Sequence, residues 1–373
     1  MEANSVLLAK NGEETGKQIF GLYGLAQGTG DLKDYSLHFD LTVPFARYVL
    51  DRESELFFPF KRYQIQPVWR GERAQKGRFR EFFQCDVDVI WRKDSGGSHL
   101  YYDAEVIFTL SQALQEILKA MQIDDTVVMR ISNRKLLVGF LSSLLGEKEV
   151  PAVSSLIDKY QKIGKENFVA SVKELGVDAA VIQRVLDFIT MNVDAASLDS
   201  VATLADTPLF QEGLAELKEV VAILETFQTS FGQPCPYVID FQIVRGLDYY
   251  TGTVFEGILQ KDSVLGAVSG GGRYGELTGH IDVKRDDFAG VGGTLGLSRL
   301  LAKILEEKSE KQMTVSEYLF IHFSETFPEL LALAATFQSE GKNIEIYPHA
   351  DRLGRQFGYA DKKGIPFVVI LGE

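Results

Sequence analysis

The sequence predicts an α+β protein: an antiparallel sheet flanked by helices, interrupted by a helical insertion and followed by a partial α/β module. Three observations lead to this fold class. Between residues 42 and 94, short apolar or alternating runs are separated by charged turns, which favours strands. Residues 133–230 are rich in Ala, Leu, Glu and Lys with repeated helical spacing. From residue 318 onward, strand-like and helix-like segments alternate, which indicates parallel strands joined by crossovers.

These changes of pattern divide the chain into three predicted domains. Residues 1–132 and 231–310 form the sheet domain, 133–230 the helical insertion, and 316–373 the α/β module. Pro234-Cys235-Pro236 marks the end of the insertion, because proline breaks helices.

Composition narrows the classes of function. The 373 residues include 39 Lys and Arg against 52 Asp and Glu, so the net charge is -13 and any nucleic-acid contact must be local. Two cysteines cannot form a disulfide framework, and five scattered histidines give no clustered metal site. No apolar run approaches the ~20 residues of a membrane span, and no signal pattern begins the chain. A reducing, cytoplasmic setting fits these features.

Within the first domain, several elements follow from spacing. Apolar residues from Val106 to Met121 recur at three and four residues, which predicts an amphipathic helix. Thr126 to Ile131 reads as a strand, and Ser132 and Asn133 offer caps to the next helix. Further predicted elements are a glycine loop at 270–274, a strand from Phe288 to Leu295 and a helix through Ile304. The module is predicted as strand 318–323, helix 328–337, strand 344–347, helix 351–360 and strand 367–371.

The densest charged cluster lies between Trp69 and Asp88. Arg70, Arg73, Arg78 and Arg80 flank a glycine-containing loop between two strand-like runs, an arrangement that suits a polyphosphate needing several fork-shaped donors. A solvated hairpin tip is the alternative. In the emerging strand, Gln84, Asp86 and Asp88 share one face, as the floor of a cleft or a water-facing sheet surface would.

Two later segments carry similar signals. Around Arg245, Tyr249 and Tyr250, a cation and two aromatic rings at the head of a strand could bind a small polar ligand, although such tyrosines also serve packing. In Gly290 to Leu300, a glycine-rich strand leaves room for a flat ring, and Arg299 could lie over that ring or remain on a helix surface. The segment has neither a P-loop nor a dinucleotide fingerprint.

Taken in order, these segments resemble the class II aminoacyl-tRNA synthetases, and specifically the histidyl-tRNA synthetase family. Residues 70–88 look like motif 2, 244–256 and 271–274 like the two histidine signatures, and 290–300 like motif 3. The segment from Asp40 to Tyr48 also resembles this family, in particular the branch of it that has the sequence Asp-Leu-Thr-Val-Pro at this place. The resemblance implies a class II antiparallel sheet, an anticodon-binding-like α/β module and a homodimer.

The resemblance also implies roles for single residues. Arg70 and Arg245 would be catalytic, aligning the histidine carboxylate with the α-phosphate. The implied histidine-binding residues are Asp40, Leu41, Thr42, Arg70, Gln84, Asp88, Arg245, Tyr249, Tyr250 and Tyr274; Asp40 and Thr42 would bind the ammonium, and Asp88 with Tyr250 and Tyr274 the imidazole. The implied ATP-binding residues are Arg70, Glu72, Arg78, Phe82, Gln84 and Arg299.

As implied by the resemblance, the activity is ATP-dependent formation of histidyl-adenylate and transfer of histidine to the 3′ end of tRNA(His). The substrates would be L-histidine, ATP and tRNA, with Mg²⁺ carried by ATP and no protein-bound metal cluster. We also expect a chain that lacks motif 1 before residue 1 and the end of the C-terminal module after Glu373. His38, Asp88, Gly275 and Ser298 depart from familiar family residues.

Two alternatives belong to other classes. One is a non-catalytic regulatory subunit of ATP phosphoribosyltransferase, which lacks an anticodon module and loses signature residues. The other is a synthetase-like sensor of uncharged tRNA. Because Arg70, Arg245 and Arg299 are present and a second module begins near Ser316, the sequence favours the ligase.

Overall fold

The computed structural model describes residues 1–8, 16–22, 34–73, 77–244, 250–262, 265–282, 284–307 and 314–371. They form two compact units, Met1–Ile304 and Leu305–Glu373. The strands are β1 Glu2–Ala3, β2 Gly21–Leu22, β3 Tyr35–Ser36, β4 Phe60–Trp69, β5 Glu81–Arg92, β6 Val127–Asn133, β7 Tyr237–Ile239, β8 Tyr250–Leu259, β9 Ser269–Tyr274, β10 Phe288–Leu295, β11 Tyr318–Ile321, β12 Ile344–Ile346 and β13 Phe367–Ile370. The helices are α1 Asn4–Leu7, α2 Thr42–Arg52, α3 Leu100–Ala120, α4 Arg134–Ser142, α5 Glu149–Asp158, α6 Tyr160–Glu174, α7 Ala179–Ile189, α8 Pro208–Phe231, α9 Leu277–Ile281, α10 Leu297–Glu307, α11 Phe327–Ser339 and α12 Leu353–Lys363.

A seven-stranded sheet in the order β4-β5-β10-β9-β8-β6-β7 is the centre of the first unit. Every neighbouring pair is antiparallel except β6 with β7. Side chains alternate across such a sheet, so one face packs against helices while the other carries polar groups. On the apolar face, Leu110 of α3 lies close to Gly293, within the largest buried cluster of the chain. This architecture confirms the predicted α+β class with its antiparallel sheet.

Helices α4 to α8 occupy most of the predicted insertion and share the first unit's core. Asn133 caps α4 as the sequence indicates: its side chain accepts a hydrogen bond of 2.9 Å from the Lys135 backbone N–H. Gly139 and Gly213 let α4 and α8 approach closely, since a Cβ on either would lie under 3 Å from the other helix's backbone. The domain boundaries drawn from the sequence remain a prediction.

Two local predictions were wrong. Residues 42–52 form helix α2 rather than a strand, because Val43, Ala46 and Val49 recur at helical spacing and the Asp40 side chain accepts from the Val43 backbone N–H at 3.2 Å. The glycine run at 270–274 lies in strand β9 rather than in a loop. Gly271 is needed there because a Cβ would lie 2.2 Å from the Gly292 carbonyl oxygen.

The second unit is a three-stranded parallel sheet in the order β12-β11-β13. Helices α11 and α12 connect the strands, as expected when parallel neighbours need crossovers. Two small cores lie on opposite faces of the sheet: Leu319 and Ile321 pack with Ala360 of α12, and Phe320 packs with Leu330 of α11. The predicted alternation of strands and helices is confirmed in this unit.

Candidate active site

A cavity of about 1720 Å³ opens on the polar face of the large sheet. Its lining includes most of the site residues indicated by the sequence: Asp40, Thr42, Arg70, Glu72, Arg78, Phe82, Gln84, Tyr250, Tyr274 and Arg299. Four others are not among the lining residues of the described chain. Leu41 and Asp88 are buried behind the lining, whereas Arg245 and Tyr249 lie outside the described residues.

The pairing of β4 with β5 arranges polar side chains in opposed pairs on this face. Arg62 lies opposite Asp88, Gln64 opposite Asp86, and Gln66 opposite Gln84. Along β4, the Gln64 amide donates to Gln66 Oε1 at 2.6 Å, and Gln66 Nε2 lies 2.8 Å from His38 Nδ1. Gln84 and Asp86 of this alternation line a cleft, as one of the two sequence interpretations proposed, while Asp88 lies buried on the same face of the strand.

Asp88 is an almost completely buried carboxylate with two partners. Its Oδ2 lies 2.8 Å from an Arg62 Nη, and its Oδ1 accepts a 3.0 Å hydrogen bond from the Tyr274 hydroxyl. Burial raises the pKa of Asp88, while the Arg62 charge opposes that rise. Arg62 also donates to the Leu41 carbonyl at 3.1 Å, which ties Asp88 to the turn before α2.

Asp40 and Asp86 face the cavity more directly than Asp88 does. Burial raises the pKa of Asp40. The pKa of Asp86 rises to about 7, because burial disfavours its charge and Asp88 repels it, whereas the Thr294 hydroxyl and Arg62 act in the opposite direction. We call Asp40, Asp86 and Asp88 the carboxyl side of the site.

A second part of the site is built from arginines. Arg70 donates from Nε to the Phe39 carbonyl at 3.1 Å, and its guanidinium lies 4.6 Å from the Phe39 ring centre and 5.1 Å from that of Phe82. Such stacking fixes the plane of a guanidinium without consuming its charge. Arg70, Arg78 and Arg299 are called the arginine side below.

Arg78 and Arg299 are each held by protein partners. Arg78 forms a 3.0 Å ion pair with Glu72, and Arg299 donates to the Gly77 carbonyl at 3.0 Å and to the Ala267 carbonyl. Burial lowers the pKa of Arg299, and the nearby positive charge of Arg78 adds to the effect. Three cations at one end of the cavity provide a site for an anionic, phosphate-bearing ligand.

Glycines in β10 make room for the carboxyl side. A Cβ on Gly292 would lie 2.0 Å from Asp88 Oδ1, and one on Gly290 would lie 2.4 Å from the Tyr274 ring. The space left by these two glycines is thus filled by protein side chains. At the end of the strand, the Ser298 hydroxyl accepts a 2.9 Å hydrogen bond from the Phe83 backbone N–H, so this departure from the familiar glutamate ties α10 to β5.

Sequence reasoning missed two buried arginines. Arg62, Gln64 and Gln66 are polar residues at alternate positions of one predicted strand. This alternation was the signal that could have placed Arg62 on the polar face of the sheet. Arg130 lines the cavity and forms ion pairs with Asp240 at 2.6 Å and Glu256 at 3.4 Å. A single charge inside the apolar strand Val127–Ile131 was the available signal, since buried charges are paired.

Within the described part of the chain, no group of three or more His, Cys, Asp or Glu side chains is placed to hold a metal ion. Nor does any helix among these residues combine the length and apolarity needed to span a membrane.

Comparisons with known proteins agree along the whole chain. Residues 2–300 match the family model described as histidyl-tRNA synthetase, and residues 313–373 match the anticodon binding domain model. The chain is 38% identical over 380 residues to a histidine–tRNA ligase of Clostridium tetani, covering 100% of this chain and 82% of the relative. It is 39% identical over 383 residues to that of Thermobifida fusca, covering 99% and 82%.

Solved structures give the same relation. The histidyl-tRNA synthetase of Nostoc sp. PCC 7120 superposes with a TM-score of 0.68 at 33% identity, covering 100% of this chain and 83% of that one. A Bacillus halodurans structure titled as an ATP phosphoribosyltransferase regulatory subunit/histidyl-tRNA synthetase has a TM-score of 0.67 but 21% identity, so it supports the fold alone. From the match to residues 2–300 and the identity to these ligases, the chain belongs to the histidyl-tRNA synthetase family.

Proposed function

We propose that this protein is a histidine–tRNA ligase, which activates L-histidine with ATP and transfers it to the 3′ end of tRNA(His). The observation that carries the proposal is one cavity lined by buried carboxylates and by three arginines. A ligand pair that carries both a cationic group and a triphosphate fits this lining. Histidine and ATP, placed end to end, form such a pair.

In the activation step, the histidine carboxylate attacks the α-phosphorus of ATP, and pyrophosphate leaves from the opposite side. The protein contributes alignment and positive charge rather than covalent chemistry. Arg70, held between two rings, would bind the α-phosphate, and Arg78 with Arg299 would bind the outer phosphates and the base. Phe82 would stack on adenine, and Glu72 would lie near the adenine amino group. Mg²⁺ would enter with ATP as part of that substrate.

In the transfer step, a terminal ribose hydroxyl of the tRNA attacks the histidyl carbonyl, and AMP leaves. Arg134 of α4, Lys162 of α6 and Lys159, which joins α5 to α6, line the same cavity as the sheet residues. These cations give the local positive charge that a nucleic-acid end requires on an acidic protein. The α/β module would bind the anticodon, and a homodimer and a cytoplasmic location remain parts of the proposal.

For histidine, Asp40 and Thr42 would bind the ammonium, Gln84 the backbone end, and Asp88 the ring through the Tyr274 hydroxyl. Tyr250 lines the same pocket. A pocket that hydrogen-bonds both ring nitrogens rejects isosteric amino acids by about 10⁴-fold in comparable sites, which removes the need for an editing domain.

The alternatives are separated by histidine-dependent exchange of pyrophosphate into ATP, measured with each of the twenty amino acids. A ligase gives exchange with histidine alone, and aminoacylation of tRNA(His) completes the test. A regulatory subunit or a tRNA sensor gives none. The absence of exchange from a folded, dimeric preparation would reject the ligase.

Arg245 provides a sharper test of the chemistry. We expect Arg245→Ala to lower the exchange rate by about 10³-fold, as loss of a transition-state cation does, with a much smaller change in ATP affinity. The measurement is kcat for exchange together with the Kd for ATP. Near-normal turnover would remove Arg245 from the proposed catalytic role.

A further inference from the structure

Arg273 belongs to the second of the two histidine signatures but has no role in the function proposed above. It precedes Tyr274 on β9, and because side chains alternate along a strand, it points to the helix-covered face of the sheet while Tyr274 lines the cavity. There its Nε donates to Asp103 Oδ1 of α3 at 3.0 Å, and a second guanidinium nitrogen donates to the other Asp103 oxygen. Arg273 thus makes a two-point contact with one carboxylate.

The Arg273 side chain is held in one orientation. The side chains of Arg273 and Asp103 are 12% and 0% exposed. The guanidinium also lies 4.9 Å from the centre of the Trp91 ring, which is itself stacked on His99. Burial raises the pKa of Asp103, and the charge of Arg273 opposes this rise. A forked pair of hydrogen bonds together with an aromatic face fixes the plane of a guanidinium.

The neighbouring strand β8 is irregular where it passes Arg273. It pairs with β9 at Tyr250 and pairs regularly again from Val254 onward. Between these points β8 contains residues 251–253, whereas β9 contains Arg273 alone. We call residues 251–253 the β8 bulge. Because a bulge interrupts the regular ladder of hydrogen bonds, its position depends on the side chains packed against it.

The β8 bulge rests on Arg273. A Cβ on Gly252, in the middle of the bulge, would lie 3.0 Å from Arg273 Cδ and 3.4 Å from Glu216 Oε2 of α8. Glu216 is itself held by Asn133 Nδ2 at 2.8 Å and by Lys135 Nζ at 2.5 Å. Two charged side chains, each fixed by other elements, therefore enclose the bulge.

Tyr250 joins the β8 bulge to the cavity. It lines the cavity, and its ring packs on Gly272, since a Cβ on Gly272 would lie 3.0 Å from the ring atom Cδ1. Tyr250 is also the residue directly before the bulge, so a shift of the bulge moves the backbone that carries the ring. Packing on the helix-covered face thereby determines the position of a side chain on the cavity face.

We propose that Arg273, fixed by Asp103, is a positioning residue for histidine recognition: it supports the β8 bulge and thereby sets the position of the Tyr250 ring in the cavity. Arg273 and Asp103 lie on the helix-covered side of the sheet, so they act without touching the substrate. The inference rests on the proposed function, because it concerns the pocket for that amino acid. It predicts that the ion pair governs the affinity for histidine and not the affinity for ATP.

The first test removes the charge that holds Arg273. Asp103→Asn keeps the shape of the side chain, and we expect the Kd for histidine to rise about 10-fold, the effect of weakening a charge-assisted contact. The Kd for ATP should change less than about twofold, because the arginine side is untouched. Calorimetric titration of the full chain measures both. Glu105→Gln is the matched control: it lies two residues later on α3 and binds Lys61 of β4, so both affinities should equal those of the wild type.

The second test separates positioning from a merely structural role. Arg273→Lys keeps the charge and loses the fork, and we expect it to raise the Kd for histidine about fivefold. If Arg273 acts through the Tyr250 ring, the same substitution in a Tyr250→Ala background should change this Kd less than about twofold, because coupled residues are not additive. Thermal unfolding of all four proteins reports the loss of stability separately. A merely structural role would give the same fold-change in Kd in both backgrounds.

Equal losses for histidine and ATP in Asp103→Asn would overturn the inference, and so would unchanged histidine affinity or additive effects of Arg273→Lys and Tyr250→Ala. If Asp103→Asn fails to fold, Gly252→Ala is judged by the same ratio of Kd changes, since its Cβ presses on Arg273 Cδ and leaves the ion pair in place. A wild type without histidine-dependent exchange rejects the proposed function, whereas an active wild type whose variants show no selective loss of histidine affinity rejects this inference alone.

Discussion

The carboxyl side and the arginine side of the cavity are built in different ways. On the carboxyl side, Arg62 and Asp88 form an ion pair whose side chains are 9% and 2% exposed. On the arginine side, Arg78 and Glu72 form one whose side chains are 41% and 30% exposed. The first pair is fixed within paired strands, and the second lies in a loop near water. Substitutions should therefore act on selectivity and folding at one side and on nucleotide affinity at the other.

The contrast extends to what a substrate has to displace. On the carboxyl side, Gln84 Oε1, Asp86 Oδ1 and Asp88 Oδ2 are buried acceptor oxygens without a hydrogen-bond partner among the described residues. On the arginine side, each described guanidinium already has a protein acceptor, which is the Phe39 carbonyl, Glu72 or the Gly77 carbonyl. A phosphate there must compete with those acceptors. This difference predicts tight recognition of the amino acid and more easily adjusted binding of the nucleotide.

The largest effect should come from adding one carbon to the carboxyl side. In Gly292→Ala, the new Cβ would lie 2.0 Å from Asp88 Oδ1 and 3.0 Å from the Val87 carbonyl, so Asp88 must move away from Tyr274. We expect kcat/KM for histidine in the exchange assay to fall by about 100-fold, a cost within the range of overpacking. The KM for ATP should change less than about threefold, because the arginine side is untouched.

Gly358→Ala is the matched control, since a Cβ at this position in α12 meets no atom within 4 Å. Its exchange activity should equal that of the wild type. Equal losses for histidine and ATP in Gly292→Ala would show that the two sides are not separable.

The next effect falls on the arginine side. Arg299→Ala removes a guanidinium that two carbonyl oxygens hold over the cavity. We expect the KM for ATP to rise about 30-fold, as loss of a charge-assisted hydrogen bond predicts, while the KM for histidine stays within about threefold. Arg285→Ala is the control, because Arg285 pairs with Glu53 and Asp287 outside the lining and should leave both constants unchanged. A larger change for histidine than for ATP would contradict the division into two sides.

The two sides also differ in how far the sequence could predict them. The alternation of residue types along the sequence was enough to place Gln84, Asp86 and Asp88 on one face. Successive side chains of a strand point to opposite faces, so this prediction needs no knowledge of the neighbouring strands. The partner of Asp88 could not be found this way, since the pairing of Arg62 with Asp88 depends on the register between two strands. Family resemblance selected Asp88 as the ring-binding carboxylate, whereas the relative depth of Asp86 and Asp88 is set by packing around Tyr274 and Gly290.

The same reasoning applies to the fold. The second unit was predicted closely, because each strand and helix there has its own local pattern and joins its neighbours through short crossovers. Helix α2 was missed because Pro44, near its start, lies among short apolar runs that also suit strands. The packing of Val49 against Phe45, Ile90 and Phe288 decides between the two, and this contact is a tertiary feature.

A separate effect, on the stability of the folded protein, is expected on the carboxyl side. The pKa of Asp86 is raised from its ordinary value of 3.8 to about 7, so between these pH values the folded protein binds more protons than the unfolded chain. Stability must then fall as pH rises through this window, by at most about 4 kcal/mol for this group. Asp86→Asn should flatten the fall, so that its free energy of unfolding exceeds that of the wild type at pH 8 but not at pH 4. Urea unfolding at the two pH values checks this, and an unchanged slope would contradict it.

The smallest effect tests whether protein acceptors compete with phosphate on the arginine side. Glu72→Gln removes the charge that pairs with Arg78 but keeps an acceptor oxygen for the adenine amino group. Because a half-exposed ion pair contributes under about 1 kcal/mol, the KM for ATP should fall by only about two- to threefold as Arg78 is released for phosphate. Arg78→Ala should change the same constant in the opposite direction. A rise in the KM for ATP in Glu72→Gln would mean that the carboxylate itself is needed by the nucleotide, and the arginine side would then be as closely built around its ligand as the carboxyl side.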